Sequence, residues 1–130
     1  MDMPCLKLSL LKERLAVCRL EPSVTPPAWA LSGDLCSITR TPEELSVVCR
    51  EGVVPLGIRC ERGWRAFKVQ GPLDFGLTGI LDALTDPLAR AGISIFALST
   101  FDTDYLMVRE AHLEEAIIAL NGAGHRVGPA

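Results

Sequence analysis

Trp64-Arg65-Ala66-Phe67-Lys68-Val69 alternates large and polar side chains with a period of two, and Gly71-Pro72 ends the run. That is the pattern of a half-buried strand. From Leu77 the period changes: Leu77, Ile80, Leu81, Leu84, Leu88 and Ala91 recur every three or four residues, and Gly92 follows. The spacing predicts one apolar helical stripe with a glycine stop, flawed by Pro87 in its last turn. Ile93-Ser94-Ile95-Phe96-Ala97-Leu98-Ser99 and Asp104-Tyr105-Leu106-Met107-Val108, separated by the polar Thr100-Phe101-Asp102-Thr103, predict a hairpin.

Downstream, His112 to Ala123 sets Leu113, Ala116, Ile117 and Leu120 on one helical face, with Glu114 and Glu115 in the first turn, where the helix dipole favours acids. Gly122 or Gly124 ends it, and His125-Arg126-Val127 reads as a short last strand. The order over residues 64 to 127 is therefore β-α-β-β-α-β, a ferredoxin-like arrangement in the α+β class. Its two helices cover one face of an antiparallel sheet.

The first half reads as β-rich with stunted helices. Leu6 to Leu10 and Leu15 to Leu20 are strand-like and predict a hairpin turning at Lys12-Glu13. Pro22, Pro26 and Pro27 mark an irregular connection, with one helical turn at Ala28-Trp29-Ala30-Leu31. Leu35 to Arg40 and Leu45 to Arg50 are two more strands, joined by Thr41-Pro42-Glu43-Glu44. The expected division is residues 1–61 and residues 62–130.

Composition excludes several function classes. A net charge of −3 without any run of Lys or Arg leaves no basic footprint for phosphates, and aromatic residues make up 5%, too few for base stacking. Nucleic acid is not an expected partner. No apolar run is long enough for a membrane span and no secretory leader is visible at Met1, so a cytoplasmic protein without membrane association is expected. The cysteines, Cys5, Cys18, Cys36, Cys49 and Cys60, are odd in number and contain no C-x-x-C pair. They read as reduced, mostly buried small hydrophobes rather than a disulfide framework or a zinc site. His112 and His125 lie near no Cys or Asp cluster, and no nucleophile-base grouping can be assembled from them. Neither metal, nor cofactor, nor catalytic residue is expected.

The runs Gly71-Pro72-Leu73-Asp74-Phe75-Gly76-Leu77-Thr78-Gly79-Ile80, Pro87-Leu88-Ala89-Arg90-Ala91-Gly92-Ile93-Ser94-Ile95 and Ser99-Thr100-Phe101-Asp102-Thr103-Asp104-Tyr105 together resemble ACT domains of the aspartokinase and CASTOR type. Ser37-Ile38-Thr39-Arg40-Thr41-Pro42-Glu43-Glu44-Leu45 in the first half resembles the degenerate ACT-like partner of small bacterial tandem-ACT proteins. The resemblance implies a non-catalytic regulatory sensor, commonly dimeric, that binds a free amino acid where the loop after the first strand meets the second strand of an adjoining unit. Carried over position by position, the implied ligand-binding residues are Phe75, Gly76, Thr78, Gly79, Ile80, Ser99, Thr100, Phe101 and Asp104. One departure matters: Gly76 stands where the arginine sensor of this type carries an acidic residue, which weighs against arginine as the ligand.

The same residues have plain structural readings. Gly76 and Gly79 flank Thr78 at a helix start, where free amides and the positive dipole end suit a carboxylate; equally, Gly76 permits a turn and Gly79 permits close helix-to-sheet packing. Asp102 reads as a cap of its own turn. Asp104 either answers an α-amino group or caps the turn, and Ser99 and Thr100 either reach a ligand or satisfy turn amides.

Overall fold

The computed structural model describes residues 5–70 and 79–129. The chain forms two compact units, one of Met1–Lys12 with Arg65–Ala130 and one of Glu13–Trp64. No described helix is long and apolar enough to cross a membrane.

The larger unit holds β1 (Lys7–Leu10), the second half of β5 (Cys60–Val69), α1 (Ile80–Arg90), β6 (Ile95–Ser99), β7 (Asp104–Arg109), α2 (Leu113–Gly122) and β8 (Arg126–Pro129). The β-α-β-β-α-β order expected from residue 64 onward is thus present, in an α+β fold. β7 pairs with both β5 and β6, and the β6–β7 hairpin runs antiparallel from Ile95↔Val108 to Ser99↔Asp104.

β1 adds a strand that the reading of the second half did not contain. It pairs antiparallel with β5, Leu8 opposite Val69 and Leu10 opposite Phe67. It also pairs parallel with β8, Leu8 opposite Val127. The expected hairpin between Leu6–Leu10 and Leu15–Leu20 is therefore absent, since these two strands do not pair with each other. The intervening Leu11-Lys12-Glu13-Arg14 has no Gly, Asn or Asp to supply the positive φ angles that a tight hairpin turn needs.

Alternation on β5 and β1 sends Phe67, Val69 and Leu8 into a core with Leu106 and Val108 from β7, closed by Leu84 and Leu88 of α1 and Ala116 and Leu120 of α2. Both helices end in the same way. The amide of Gly92 donates to the Ala89 carbonyl and that of Ile93 to Leu88; likewise Gly124 donates to Asn121 and His125 to Leu120. This paired pattern is the Schellman motif, and it requires the left-handed backbone that Gly92 (φ 75°) and Gly124 (φ 96°) adopt. Ile93, one residue beyond Gly92, packs in the same core as Leu88.

The smaller unit holds β2 (Leu15–Leu20), β3 (Ser37–Arg40), β4 (Leu45–Arg50) and the first half of β5. β4 lies between β3 and β2, antiparallel to both, and β2 pairs with β5 through Leu15↔Trp64 and Cys18↔Cys60. Its core is Ala16, Cys18, Ala30, Leu45, Val47, Cys49 and Val54. The β3–β4 turn is closed by Thr41, whose Oγ1 accepts from the amides of Glu43 and Glu44, both at 3.2 Å. The β2–β5 register shifts between Leu15 and Val17, where Gly63 has φ 78° and donates its amide to Glu51 Oε1 at 2.7 Å. A glycine in the left-handed region at such a shift is how a strand absorbs one extra residue.

Pro87 does lie inside α1, but its cost is offset by a partner. Proline has no N–H to give the carbonyl four residues earlier, and that carbonyl, Ala83, is 2.8 Å from Nε2 of the buried His125. The Leu6 amide donates to the other ring nitrogen, Nδ1, at 3.1 Å, so Nε2 carries the hydrogen and donates to Ala83. We predict that His125→Phe destabilises the protein by about 1–3 kcal/mol, since it leaves a buried acceptor and a donor unpaired. Pro87→Ala restores an N–H for Ala83, so the double variant loses less than the two single changes sum to. Urea unfolding of the four proteins checks this; strict additivity would show that His125 does not serve the proline gap.

Candidate functional site

Six of the nine residues implied by the resemblance are described, and Phe75, Gly76 and Thr78 lie outside the described residues. Ser99, Thr100, Phe101 and Asp104 come together on the β6–β7 hairpin. Ser99 and Asp104 face each other as the last cross-strand pair, and the Ser99 hydroxyl donates to Asp104 Oδ1 at 2.7 Å. Asp104 is thereby held at the mouth of the turn, half-buried.

The turn itself is closed by threonines. Thr100 donates its amide to the Thr103 carbonyl at 2.8 Å, and Thr100 Oγ1 accepts from the Thr103 amide at 3.2 Å. Capping, expected of Asp102 or Asp104, is thus done by Thr100, and the Asp104 carboxylate is directed to Ser99 instead. Thr103 was missed by the sequence reading. It is 5% exposed, and its hydroxyl donates to the Val69 carbonyl at 2.7 Å. This bond fixes the hairpin turn beside the end of β5. A threonine in a polar tetrapeptide gives no sign of this, because its burial depends on β7 lying next to β5. Phe101, at the tip of the turn, is 81% exposed.

Gly79 and Ile80 lie on another element, the start of α1. Gly79 is the N-cap residue at φ 78° and supplies no side-chain cap to the first amides of α1. The packing role considered for Gly79 fails: among the described residues, a Cβ built there meets no heavy atom within 4 Å. What demands glycine is the left-handed backbone, which costs an L-residue roughly 1–2 kcal/mol.

A cavity of about 600 Å³ opens between α1 and α2, with His125, Pro87 and Ala119 among its walls and Asp86 and Arg90 also lining it. These last two are ion-paired at 2.9 Å. None of the six described ligand residues implied by the resemblance lines this cavity. Among the described residues no group of three or more His, Cys, Asp or Glu side chains could hold a metal ion.

Comparison with known proteins agrees with this architecture. Residues 59–122 match the ACT-domain family model, and residues 13–56 match a model of an N-terminal domain. A protein of Agrobacterium tumefaciens of known crystal structure is 43% identical over 98% of this chain and 95% of its own, with a TM-score of 0.92. The fold is shared with a Vibrio cholerae protein described as of unknown function and possibly for transport, at 19% identity over 92% of this chain and 90% of that one, TM-score 0.74. It is shared too with the regulatory subunit of aspartate kinase from Thermus thermophilus, at 11% identity over 85% of this chain and 93% of that one, TM-score 0.56. With the β-α-β-β-α-β order, the paired hairpin and the family match in agreement, the chain belongs to the ACT-domain family.

Proposed function

We propose that the chain is a non-catalytic regulatory module that binds a free amino acid at the mouth of the β6–β7 turn and the first turn of α1. The observation that carries this reading is the Ser99–Asp104 pair. A carboxylate held by a neighbouring hydroxyl, and not spent on capping its own turn, is suited to receive an α-ammonium group through charge-assisted hydrogen bonds. The α1 N-terminus, whose N-cap residue Gly79 supplies no side-chain cap, suits the α-carboxylate at the opposite end of the same ligand. Phe101 at the tip offers an apolar surface for the effector side chain.

A screen of the twenty amino acids by thermal shift tests the reading. We expect at least one to raise the melting temperature, following RT ln(1 + [L]/Kd). With that amino acid, Asp104→Asn should weaken binding by about tenfold to a hundredfold, because a hydrogen bond to a charged group contributes about 1.5–3 kcal/mol. Asparagine retains an oxygen for Ser99, so the unliganded melting temperature should hardly move. A destabilised variant with unchanged affinity would assign Asp104 a structural role only. Absence of any ligand shift would favour a protein-interaction module that binds no small effector.

We also propose that the module is a homodimer. A small ferredoxin-like unit buries only about 60% of its unfolded-chain surface and benefits from further packing. Ile118 on α2 is 71% exposed, leaving apolar surface for that purpose. Light scattering at micromolar concentration should report twice the 14.1 kDa chain mass; a monomer would overturn this part of the proposal.

A further inference from the structure

Three of the five cysteines converge in the core of the smaller unit. Cys18 on β2 and Cys49 on β4 are buried, and the half-buried Cys60 at the start of β5 packs against the same cluster. Cys18 and Cys60 are direct cross-strand partners. The neighbouring Arg19 amide donates to the Arg59 carbonyl at 2.9 Å, which makes Arg19 and Arg59 the hydrogen-bonded pair of the ladder. Cys18 and Cys60 therefore occupy a non-hydrogen-bonded position, where the side chains approach more closely, with Cα atoms about 4.5 Å apart. A disulfide accepts Cα separations of about 4.4–6.8 Å. Cys49 is placed differently. It faces Ala16, while Cys18 faces Val47, so Cys49 is a diagonal neighbour at about 7–8 Å, beyond that range.

We infer that Cys60 is a site of thiol oxidation by hydroperoxides and that Cys18 resolves it, giving a Cys18–Cys60 disulfide between β2 and β5. Exposure sets the order of events. Cys60 is the partner that solvent reaches, whereas Cys18 is 2% exposed. Burial, helped by the neighbouring Cys49 and Cys60, pushes the Cys18 thiol up to about 12, so it is not the group that meets the oxidant first. In the first step the Cys60 thiolate attacks a peroxide oxygen; the O–O bond breaks, Cys60 becomes a sulfenic acid and the peroxide is reduced to an alcohol or water. In the second the Cys18 sulfur attacks the Cys60 sulfur, the S–O bond breaks, and the Cys18 proton leaves with the hydroxide as water. Two thiols lose two electrons in all, and one peroxide bond takes them up.

The test treats the folded full chain, carrying Cys5→Ser and Cys36→Ser to remove the two exposed thiols, with hydrogen peroxide, followed by intact mass and non-reducing peptide mapping. The expected product has lost two hydrogens, maps as a Cys18–Cys60 crosslink, keeps its circular dichroism spectrum and reverts with dithiothreitol. Cys18→Ala should instead leave Cys60 as a sulfenic acid that dimedone traps. A crosslink between Cys18 and Cys49, conversion of Cys60 to sulfinic acid without a crosslink, or a crosslink that forms only in denaturant would each overturn the inference.

Discussion

Two strands that stay apart leave facing rows of amides and carbonyls, and in the larger unit β1 supplies partners to both rows. It accepts β5 on one side in antiparallel register and β8 on the other in parallel register. Unpaired backbone groups out of contact with water cost about as much as lost hydrogen bonds, so the ACT unit depends on this strand from the far end of the sequence. Leu8, at its centre, is buried in the same core as Phe67, Val69 and the two helices. The bonds that fix β1 extend to the residue before it. Leu6 donates to His125 and accepts from the Arg126 amide at 2.9 Å.

His125 connects that docking to the helix that opens the proposed site. Its ring takes the Leu6 amide at one nitrogen and serves the Ala83 carbonyl at the other. The ring is positioned by the Gly124 turn that ends α2. Pro87 thus makes α1 rely on a side chain from outside the helix. Thr103 does for the hairpin what His125 does for the helix, holding a turn against β5 through one buried hydrogen bond. Both groups are polar and both are buried, and both have partners, as buried polar groups must.

The parts of this fold that a periodic pattern encodes were legible in the sequence. The stripe of Leu84 and Leu88, the alternation of Phe67 and Val69, and the glycines at 92 and 124 each report a local conformation. What pattern cannot report is pairing. Leu8 and Leu10 alternate identically whether β1 turns back on β2 or inserts between β5 and β8, so the hairpin reading went wrong at that point. At the candidate site the positions of Ser99 and Asp104 at facing strand ends followed from the hairpin alone. Which residue caps the turn did not, because Thr100, Asp102 and Asp104 all carry side chains able to do it. The roles of Thr103 and His125 required long-range neighbours, Val69 and Ala83, that no spacing reveals.

The proposed ligand recognition uses the turn that Thr103 anchors and the start of α1, where His125 serves the carbonyl that Pro87 leaves without a donor. In that proposal both ends of an amino acid would meet complementary charge, a carboxylate at Asp104 and backbone amides at α1. The direct measurement is a titration of the isotope-labelled protein, followed by amide chemical shifts in NMR, with the amino acid that most raises the melting temperature. The account predicts the largest shifts at Gly79, Ile80, Thr100, Phe101 and Asp104. Shifts concentrated instead at Ala119, Gly122 and His125, around the cavity between the helices, would contradict it.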